Sequence, residues 1–413
     1  MFTAEYQDGT TISLLEGWQL AELKQLRREQ EFYCRSCKEP LLLKLGGKRQ
    51  WHFAHRTKST CKAMGEAETP YHLEGKKQLY YWLKGHSLDV GIEIYLPIIQ
   101  QRPDLVVRYQ QRLYAVEFQC SPIPVSVIAK RSRGYQEVGI TPIWLLGGNR
   151  LKRQRSSTYA IQAFEWHAFR HYPPDNLSLS YYCPEQHSFA FLQHVMPYSA
   201  TRTLAELQQS PLESTQPAAL FHQPKQLPAR RMKWLEIKKH WRYQHPLSYP
   251  SRVESYLLQL LYRYSLPRNL FPIEAGWPSP YYYYFETSPY HWQTFLLFEF
   301  LEHQPLTKPF TLQIVSRCIQ PYMLKGLFSR RQIHEEAGWL QAVKGYLSWL
   351  CQMGYLEQTG EEYFKRVRSI VIPRTMEEAF RLDAAAARRC FTMEDEAENS
   401  GDNKGINSKK ANI

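Results

Sequence analysis

Two acidic residues stand inside apolar runs of this sequence: Asp104 in RPDLVV and Glu117 in YAVEFQ. A carboxylate buried among apolar side chains needs a partner, and a divalent cation is a suitable one. Between two carboxylates, Mg²⁺ or Mn²⁺ can polarise a phosphoryl oxygen and turn a bound water into a nucleophile. We therefore expect Asp104 and Glu117 to bind such a cation and to support hydrolysis of a nucleic-acid backbone.

Further polar residues are spaced so that they can join this carboxylate pair. Glu68, His72 and Lys76 follow one another at intervals of four, which places His72 and Lys76 on one face of a helix. Gln119 lies two residues after Glu117 and faces the same side of a strand. Its amide can orient a water molecule but cannot accept a proton. We expect all four to complete the catalytic site.

Cysteines and histidines cluster between residues 34 and 61. Cys34 and Cys37 form a C-x-x-C turn, and two short predicted strands around a Gly-Gly turn would present further ligands as a zinc ribbon does. We expect Cys34, Cys37, His55 and Cys61 to bind a structural Zn²⁺, with His52 as the alternative to His55. The other interpretation is a set of reduced cysteines packed under a hairpin.

Local patterns predict the elements that position the carboxylates. Thr69 and Pro70 are typical of a helix start, and apolar residues continue at helical spacing until Gly85. Three predicted strands follow (VGIEIYL, PDLVVRY and YAVEFQC), the last two joined by a tight turn at Gln110 and Gln111. A helix over 125–138 and a buried strand in ITPIWLLGG come next. The predicted order is helix, three strands, helix, strand.

The pattern changes along the chain and predicts five regions. They are a zinc-ribbon-like segment (1–66), the α/β core (67–150), a connector of uncertain structure (151–229), a mostly helical domain (230–383) and a disordered tail (384–413). In the helical domain, a helix and the hairpin GYLEQTGEEYFKR could form a winged-helix-like unit.

Charge favours a nucleic-acid partner. The 413 residues include 52 lysines and arginines against 39 acidic residues, a formal net charge of +13. The basic run at residues 230–242 mixes cations with tryptophans, which suits phosphate contacts and base stacking on single-stranded DNA. Its candidate DNA contacts are Arg230, Arg231, Lys233, Lys238 and Lys239. The alternative is a helix that buries Trp234 and Trp241 and leaves its cations in solvent.

Composition also predicts a location. No stretch approaches the roughly 18 to 20 apolar residues of a membrane span, and MFTAEYQDGT lacks the features of a secretory signal. Eight cysteines are few for this length, and their clustering favours zinc over a disulfide framework. We therefore expect a cytoplasmic protein with no membrane partner.

Seven motifs in order resemble the competence protein CoiA family over residues 1 to about 150. They are YCRSC, WHFAH, ETPYHLEGKKQLYYWL, RPDLVV, YAVEFQCSPI, RSRGYQEVGI and PIWLLGG. That family is similar to the PD-(D/E)xK nucleases, so the resemblance implies a restriction-endonuclease-like core. It also implies a role in processing incoming or branched DNA during natural transformation, and a link to the strand-exchange recombinase.

The resemblance assigns roles residue by residue. Glu68 and His72 match the family's helix motif, Asp104 its PD aspartate, and Glu117 with Gln119 its E-x-Q; Arg131 and Tyr135 match its R-x-x-x-Y helix and are expected to contact DNA. The wider nuclease class has a lysine where Gln119 stands. Three interpretations stay open: the metal-bound water suffices, Lys76 or Lys130 substitutes for the lysine, or the core binds DNA without cutting it efficiently.

Overall fold

A computed structural model describes residues 1–47, 50–56, 61, 68–172, 176–222, 231–244, 249–333 and 338–406. The chain divides into two compact units. The first comprises Met1–Val195 and Ala205–Leu227, and the second comprises Met196–Leu204 and Pro228–Ile413. Each unit is described by itself below.

The N-terminal part of the first unit is a small antiparallel sheet with one helix. Its elements are β1 (Thr3–Glu5), β2 (Thr11–Ser13), α1 (Leu20–Glu29), β3 (Phe32–Tyr33), β4 (Pro40–Lys44) and β5 (His52–His55), with strand order β2-β1-β3-β4-β5. Strand β4 alternates buried and exposed residues, as a strand with one solvent face does. The predicted strand pair is β4 and β5, in which Leu41 pairs with His55.

The central part has the predicted order of helix, three strands, helix and strand. Its elements are α2 (Pro70–Gly85), β6 (Asp89–Ile92), β7 (Leu105–Tyr109), β8 (Arg112–Gln119), α3 (Val125–Glu137) and β9 (Thr141–Gly147). The Thr69 side chain caps α2 by accepting from the backbone N–H of His72. Strands β6, β7 and β8 are antiparallel neighbours, whereas β8 and β9 are parallel because α3 crosses between them.

The turn between β7 and β8 is the predicted one. Gln110 and Gln111 both have positive φ values, 46° and 64°, as a two-residue hairpin turn requires. In the resulting register Leu105 pairs with Val116, so the next residues outward on the two strands are Asp104 and Glu117. The hairpin therefore brings the two predicted carboxylates to one end of the sheet.

Residues 151–229 are more than the predicted connector. They form β10 (Lys152–Arg155), β11 (Thr158–Ala160), β12 (Arg170–Tyr172), β13 (Asn176–Cys183), β14 (Ser188–Pro197), β15 (Arg202–Pro211) and α4 (Ala218–Phe221). The sheet runs β10-β11-β15-β14-β13-β9-β8-β7-β6, and β12 pairs with β13. The sequence left this region unassigned because β9 accepts β13 in parallel, a pairing that no local pattern reveals.

The second unit is mainly helical, as predicted. Its elements are α5 (Trp234–Tyr243), α6 (Arg252–Arg263), α7 (Pro289–Glu299), β16 (Phe310–Thr311), α8 (Leu312–Leu324), α9 (Trp339–Gln352), β17 (Leu356–Gln358), β18 (Tyr363–Arg366) and α10 (Met376–Ile406). The predicted hairpin is β17–β18, and β16 joins it in the order β16-β18-β17. Most of α9 is buried, and a Cβ at Gly345 would lie 2.1 Å from the carbonyl oxygen of Pro280. The comparison with a winged helix stays a prediction.

The tail prediction is corrected where the structure describes it. Helix α10 extends through Ile406, although disorder was expected from Ala384. The four consecutive alanines at 384–387 favour a helix, and Ala386 and Ala387 are buried in the core of the second unit. Residues 407–413 lie outside the described part of the chain.

None of the described helices combines the length and the apolar composition needed to cross a membrane.

Candidate metal centres

Three predicted residues meet at the start of α2 and the start of β7. One ligand atom from each of Glu68, His72 and Asp104 lies within 4.8 Å of the others. Glu68 precedes the Thr69 cap, His72 lies in the first turn of α2, and Asp104 immediately precedes β7. Two carboxylates and an imidazole are a donor set that divalent transition cations accept.

Asp104 is oriented by contacts from both sides. Its Oδ2 lies 3.1 Å from His72 Nε2 and accepts the backbone N–H of Phe118 at 2.9 Å. Burial alone would raise the pKa of Asp104, but His72 and Lys76 lower it below its ordinary value of 3.8. The carboxylate is therefore charged at neutral pH.

Lys76 is the buried cation at the centre of the carboxylates. Its Nζ donates to Glu68 at 2.5 Å and to Glu93 at 2.6 Å, and lies 3.4 Å from Asp104. The side chain has no exposed surface. Although burial lowers the pKa of Lys76, the carboxylates raise it above 10.5. The ammonium keeps its proton, so Lys76 cannot be the base that replaces the missing lysine; it positions the acids instead.

Glu117 has hydrogen-bond partners of its own beside the ligand group. Its Oε1 accepts hydrogen bonds from Arg131 and from the Tyr135 hydroxyl, and the side chain is buried. The structure brings Glu117 into the same cavity as Asp104 but not into the Glu68–His72–Asp104 group. The expected Asp104–Glu117 metal pair stays a prediction, because the guanidinium and the phenol bind Oε1 of Glu117 and no described partner binds its Oε2.

The same contacts correct the predicted DNA-binding role of Tyr135, whereas that of Arg131, which lines the cavity, stays a prediction. Tyr135 is completely buried, and burial followed by the charge of Glu117 raises its pKa. Arg131 also donates to the carbonyl of Arg102 at 3.0 Å. Both residues position Glu117 from α3. They are one helical turn apart, which is why the R-x-x-x-Y spacing lets them converge on one carboxylate.

The remaining candidates, Gln119 and Lys130, do not supply the amine of the lysine that the wider nuclease class has in place of Gln119. Gln119 lines the cavity, and its Nε2 donates to the carbonyl of Ser121 at 2.6 Å. Lys130 is exposed on α3 and is not among the residues that line the cavity.

Two further charged residues belong to the cluster and were missed in the sequence. Glu93 is 1% exposed, and its Oε2 accepts the backbone N–H groups of Phe2 and Thr3 at 2.8 and 2.9 Å. The sequence VGIEIYL predicts a strand through this residue, but Glu93 has a φ of 51° and β6 ends at Ile92. Arg102 is half-buried, and its pKa is raised most by the charge of Glu93 and next by that of Glu68. An acid within an apolar run was the available signal for Glu93.

The cysteine cluster assembles as predicted. Ligand atoms of Cys34, Cys37, His55 and Cys61 all lie within 4.8 Å of one another. Strand β5 presents His55 to this group, whereas His52 Nδ1 lies 2.8 Å from the carbonyl oxygen of Gln50. The geometry favours His55 over His52 as the fourth ligand.

The spacing of these atoms fits a tetrahedral cation. Cys34 Sγ and Cys61 Sγ are 3.9 Å apart, and Cys37 Sγ is 3.3 Å from His55 Nε2. With zinc–sulfur bonds of about 2.3 Å, two sulfurs of a tetrahedron are separated by about 3.8 Å. No disulfide forms among the cysteines. Three thiols and one imidazole therefore form a suitable closed site for Zn²⁺.

Both groups border one cavity of about 350 Å³ in the first unit. It is lined by Glu68, His72, Asp104, Glu117 and Gln119 on one side and reaches His52 and His55 of β5. Lys76, Arg102 and Arg131 offset much of the carboxylate charge around it. The cavity is thus a polar site whose acids are already held in place by internal cations.

In the basic run of the second unit, Lys238 has a structural role. Lys238 is completely buried, donates to the carbonyls of Ile273 and Ala275 and pairs with Asp383, so it cannot contact DNA. Trp234 and Trp241 are buried beside it, as the alternative interpretation expected. Of the other predicted contacts, Lys239 is exposed, Arg231 and Lys233 are half-buried, and Arg230 lies outside the described residues.

The large α/β sheet, with acids and a histidine gathered at its strand ends, is an arrangement expected of a nuclease-like domain. A family model described as "Competence protein CoiA, nuclease-like domain" matches residues 68–225, and models of the CoiA N-terminal and C-terminal domains match residues 15–64 and 230–380. The chain belongs to the competence protein CoiA family. It is 31% identical over 346 residues to "Competence protein CoiA" of Bacillus subtilis (strain 168), covering 83% of this chain and 92% of that protein. No solved structure matches this chain significantly.

Proposed function

We propose that this protein processes DNA during natural transformation, through a metal-dependent nuclease core of the restriction-endonuclease type. The observation that carries the proposal is the convergence of Glu68, His72 and Asp104 in a cavity that also contains Glu117 and Gln119. A phosphodiester is the substrate class that suits acidic residues around a divalent cation in a protein of net charge +13.

The side chains around the cavity would have different roles in this reaction. Asp104, Glu68 and His72 would hold Mn²⁺ or Mg²⁺, and the imidazole favours Mn²⁺. When bound, the cation supplies Lewis acidity for a phosphoryl oxygen and lowers the pKa of water. Lys76 keeps two of the acids charged and oriented, and Arg131 with Tyr135 fixes Glu117. Gln119 is placed to orient water at the edge of the site.

The second candidate is a DNA-binding recombination accessory protein that retains the fold without cleaving. One observation favours it: each carboxylate around the cavity already has an internal cation, and the only amine among the catalytic candidates is a buried ammonium. A site of this kind would bind divalent cations weakly. On either proposal Zn²⁺ has a structural role in the N-terminal sheet, and the partners are single-stranded or branched DNA and the strand-exchange recombinase. The absence of disulfides suits action in the cytoplasm.

The test compares the wild type with Asp104→Asn and with Asp89→Asn. Asp89 lies in β6 of the same sheet with its side chain 78% exposed, so the matched substitution leaves the site intact. Each protein is incubated with single-stranded, duplex and branched DNA in Mg²⁺ or Mn²⁺, and Mn²⁺ binding is measured by calorimetry. We expect Asp104→Asn to weaken Mn²⁺ binding at least about tenfold and to abolish cleavage, with Asp89→Asn unchanged.

The outcomes separate the two candidates. If the wild type cleaves none of the three DNAs yet shifts them in a gel as well as Asp104→Asn does, the enzyme proposal fails and the accessory role stands. Equal cleavage by the wild type and Asp104→Asn would show that the nuclease activity lies elsewhere.

A further inference from the structure

A second polar cavity lies within the second unit, at the N-terminus of α7. We call it the α7 cavity; it has a volume of about 300 Å³ and is lined by side chains of Arg202, Glu254, Arg268, Ser288, Tyr290 and His291 among others. All of these residues belong to the second unit. No role assigned above to the first unit involves them.

Three polar atoms at the start of α7 are buried and have no hydrogen-bond partner within the described structure. They are Ser288 Oγ, Tyr290 Oη and His291 Nδ1. Tyr290 is completely buried, so its hydroxyl is not exposed to bulk solvent. Leaving a buried hydroxyl unsatisfied is costly unless a ligand completes it. Two hydroxyl donors on one cavity wall, with the His291 ring beside them, favour an anionic acceptor as the ligand.

Ser288 shows that the helix N-terminus is left open. It is the N-cap residue of α7, yet its side chain makes no capping bond. At the neighbouring helix α6, by contrast, Ser251 caps by accepting the backbone N–H of Glu254 at 3.3 Å. The N-terminus of an eleven-residue helix carries partial positive charge that favours an anion.

Cations surround the same space. Glu254 Oε1 accepts a hydrogen bond from Arg268 Nε at 2.5 Å, and Glu254 Oε2 lies 2.7 Å from His291 Nε2. Both carboxylate oxygens are therefore occupied, and the charge of Glu254 is offset. Arg268 also donates through Nη1 to the carbonyls of Trp241 and Gln244, which holds the guanidinium in place. Among the described residues its Nη2 has no partner. Hydroxyl donors, a fixed guanidinium and a helix N-terminus are the chemistry of a phosphate site.

We propose that the α7 cavity binds a phosphate monoester, which accepts from the hydroxyls of Tyr290 and Ser288, pairs with Arg268, and accepts from His291 Nδ1 when that ring carries both protons. The group can come from a free nucleotide or from the phosphorylated end of a DNA strand. A strand end as the source rests on the proposed function in DNA processing, whereas the phosphate chemistry does not. A site for strand ends would let the second unit hold one terminus of the DNA.

The test measures binding by calorimetry at constant ionic strength. The probes are inorganic phosphate, thymidine 5′-monophosphate, thymidine, and an oligothymidylate with either a 5′-phosphate or a 5′-hydroxyl. The variants are Tyr290→Phe and Ser288→Ala, with Tyr262→Phe as the matched control because Tyr262 is 84% exposed and does not line the cavity. Arg268 is left intact because it also supports the fold.

We expect the nucleotide and phosphate to bind and thymidine not to bind. Each cavity variant should weaken phosphate binding at least about tenfold, with Tyr262→Phe unchanged. Tyr290→Phe should also raise the melting temperature of the ligand-free protein, because an unsatisfied hydroxyl is removed. This increase separates loss of a ligand contact from damage to the fold.

Two results would overturn the proposal: no phosphate-bearing probe binds, or the cavity variants bind as well as the wild type. Preference for the 5′-phosphorylated over the 5′-hydroxyl oligonucleotide supports strand ends, and binding of the mononucleotide without that preference assigns the site to free nucleotides. The phosphate titration is repeated with Asp104→Asn. Since that substitution lies in the first unit, retained binding alongside lost cleavage shows that the two proposals succeed or fail separately.

Discussion

Replacing Lys76 with methionine tests whether one buried cation holds the acidic cluster together. The ammonium contacts three carboxylates, and both it and Glu93 are almost completely buried. Methionine fills similar space but leaves the carboxylates without their partner. Removing one member of a buried ion pair costs about 3 to 5 kcal/mol. A carboxylate that has lost its partner can avoid that cost only by taking up a proton.

The pH dependence follows from the directions of the pKa shifts. Burial raises the pKa values of Glu68, Glu93 and Asp104, and Lys76 is among the charges that lower all three. In the wild type their stabilisation is therefore present above the ordinary pKa values and is lost only at acid pH, below about 4. Without Lys76, a carboxyl of ordinary pKa 4.5 must be protonated, and at about pH 7 that costs about 3 kcal/mol. At about pH 5 the cost is below about 1 kcal/mol.

The measurement is urea unfolding at about pH 7 and about pH 5, followed by hydrogen exchange of peptides from α2 and β8. Lys77→Met is the matched control, because Lys77 is the next residue of α2 and is only half-buried. We expect Lys76→Met to lose about 3 kcal/mol at the higher pH and much less at the lower one. A loss equal to that of Lys77→Met, or one that does not change with pH, would refute the electrostatic reasoning.

Two further predictions concern the zinc site and the packing of α2 on β8. Cys37→Ser should reduce the zinc content from about one equivalent to none and make the N-terminal sheet sensitive to unfolding, whereas Cys318→Ser, a half-buried cysteine of the second unit, should keep the metal. Elemental analysis checks this, and full zinc in Cys37→Ser would contradict the ligand assignment. Gly75→Ala would place a Cβ 2.1 Å from Phe118 Cε1, so we expect a loss of about 1 to 3 kcal/mol in urea unfolding. Gly85→Ala meets open space in the same helix, and an equal loss there would show that packing on Phe118 is not the cause.

Much of the central fold was predictable because its signals are local. The Thr69 cap, the proline that follows it and the Gln110–Gln111 turn are set by residues within a few positions of each other. The hairpin register then brings Asp104 and Glu117 to one sheet end, which is why a group of acidic residues could be anticipated there. The C-x-x-C turn and the β4–β5 pair likewise bring Cys34, Cys37 and His55 together.

The rest depended on contacts between distant segments. Nothing near Glu93 indicates that Lys76 and the N–H groups of Phe2 and Thr3 will surround it. Lys238 belongs to a basic run that resembles a DNA-binding surface. It is nevertheless buried, because its ammonium binds a backbone carbonyl and Asp383, which lies 145 positions further along the chain. Strand β13 joins β9 across more than thirty residues.

The sequence by itself therefore determined which residues can do chemistry and the elements that carry them. The tertiary structure decided how those residues are paired: Asp104 with His72 and Lys76, and Glu117 with Arg131 and Tyr135. The physical reason is that the pairing of a buried charged group depends on which opposite charge lies nearest to it. In a folded chain that neighbour is chosen by packing, since distance along the sequence does not limit it.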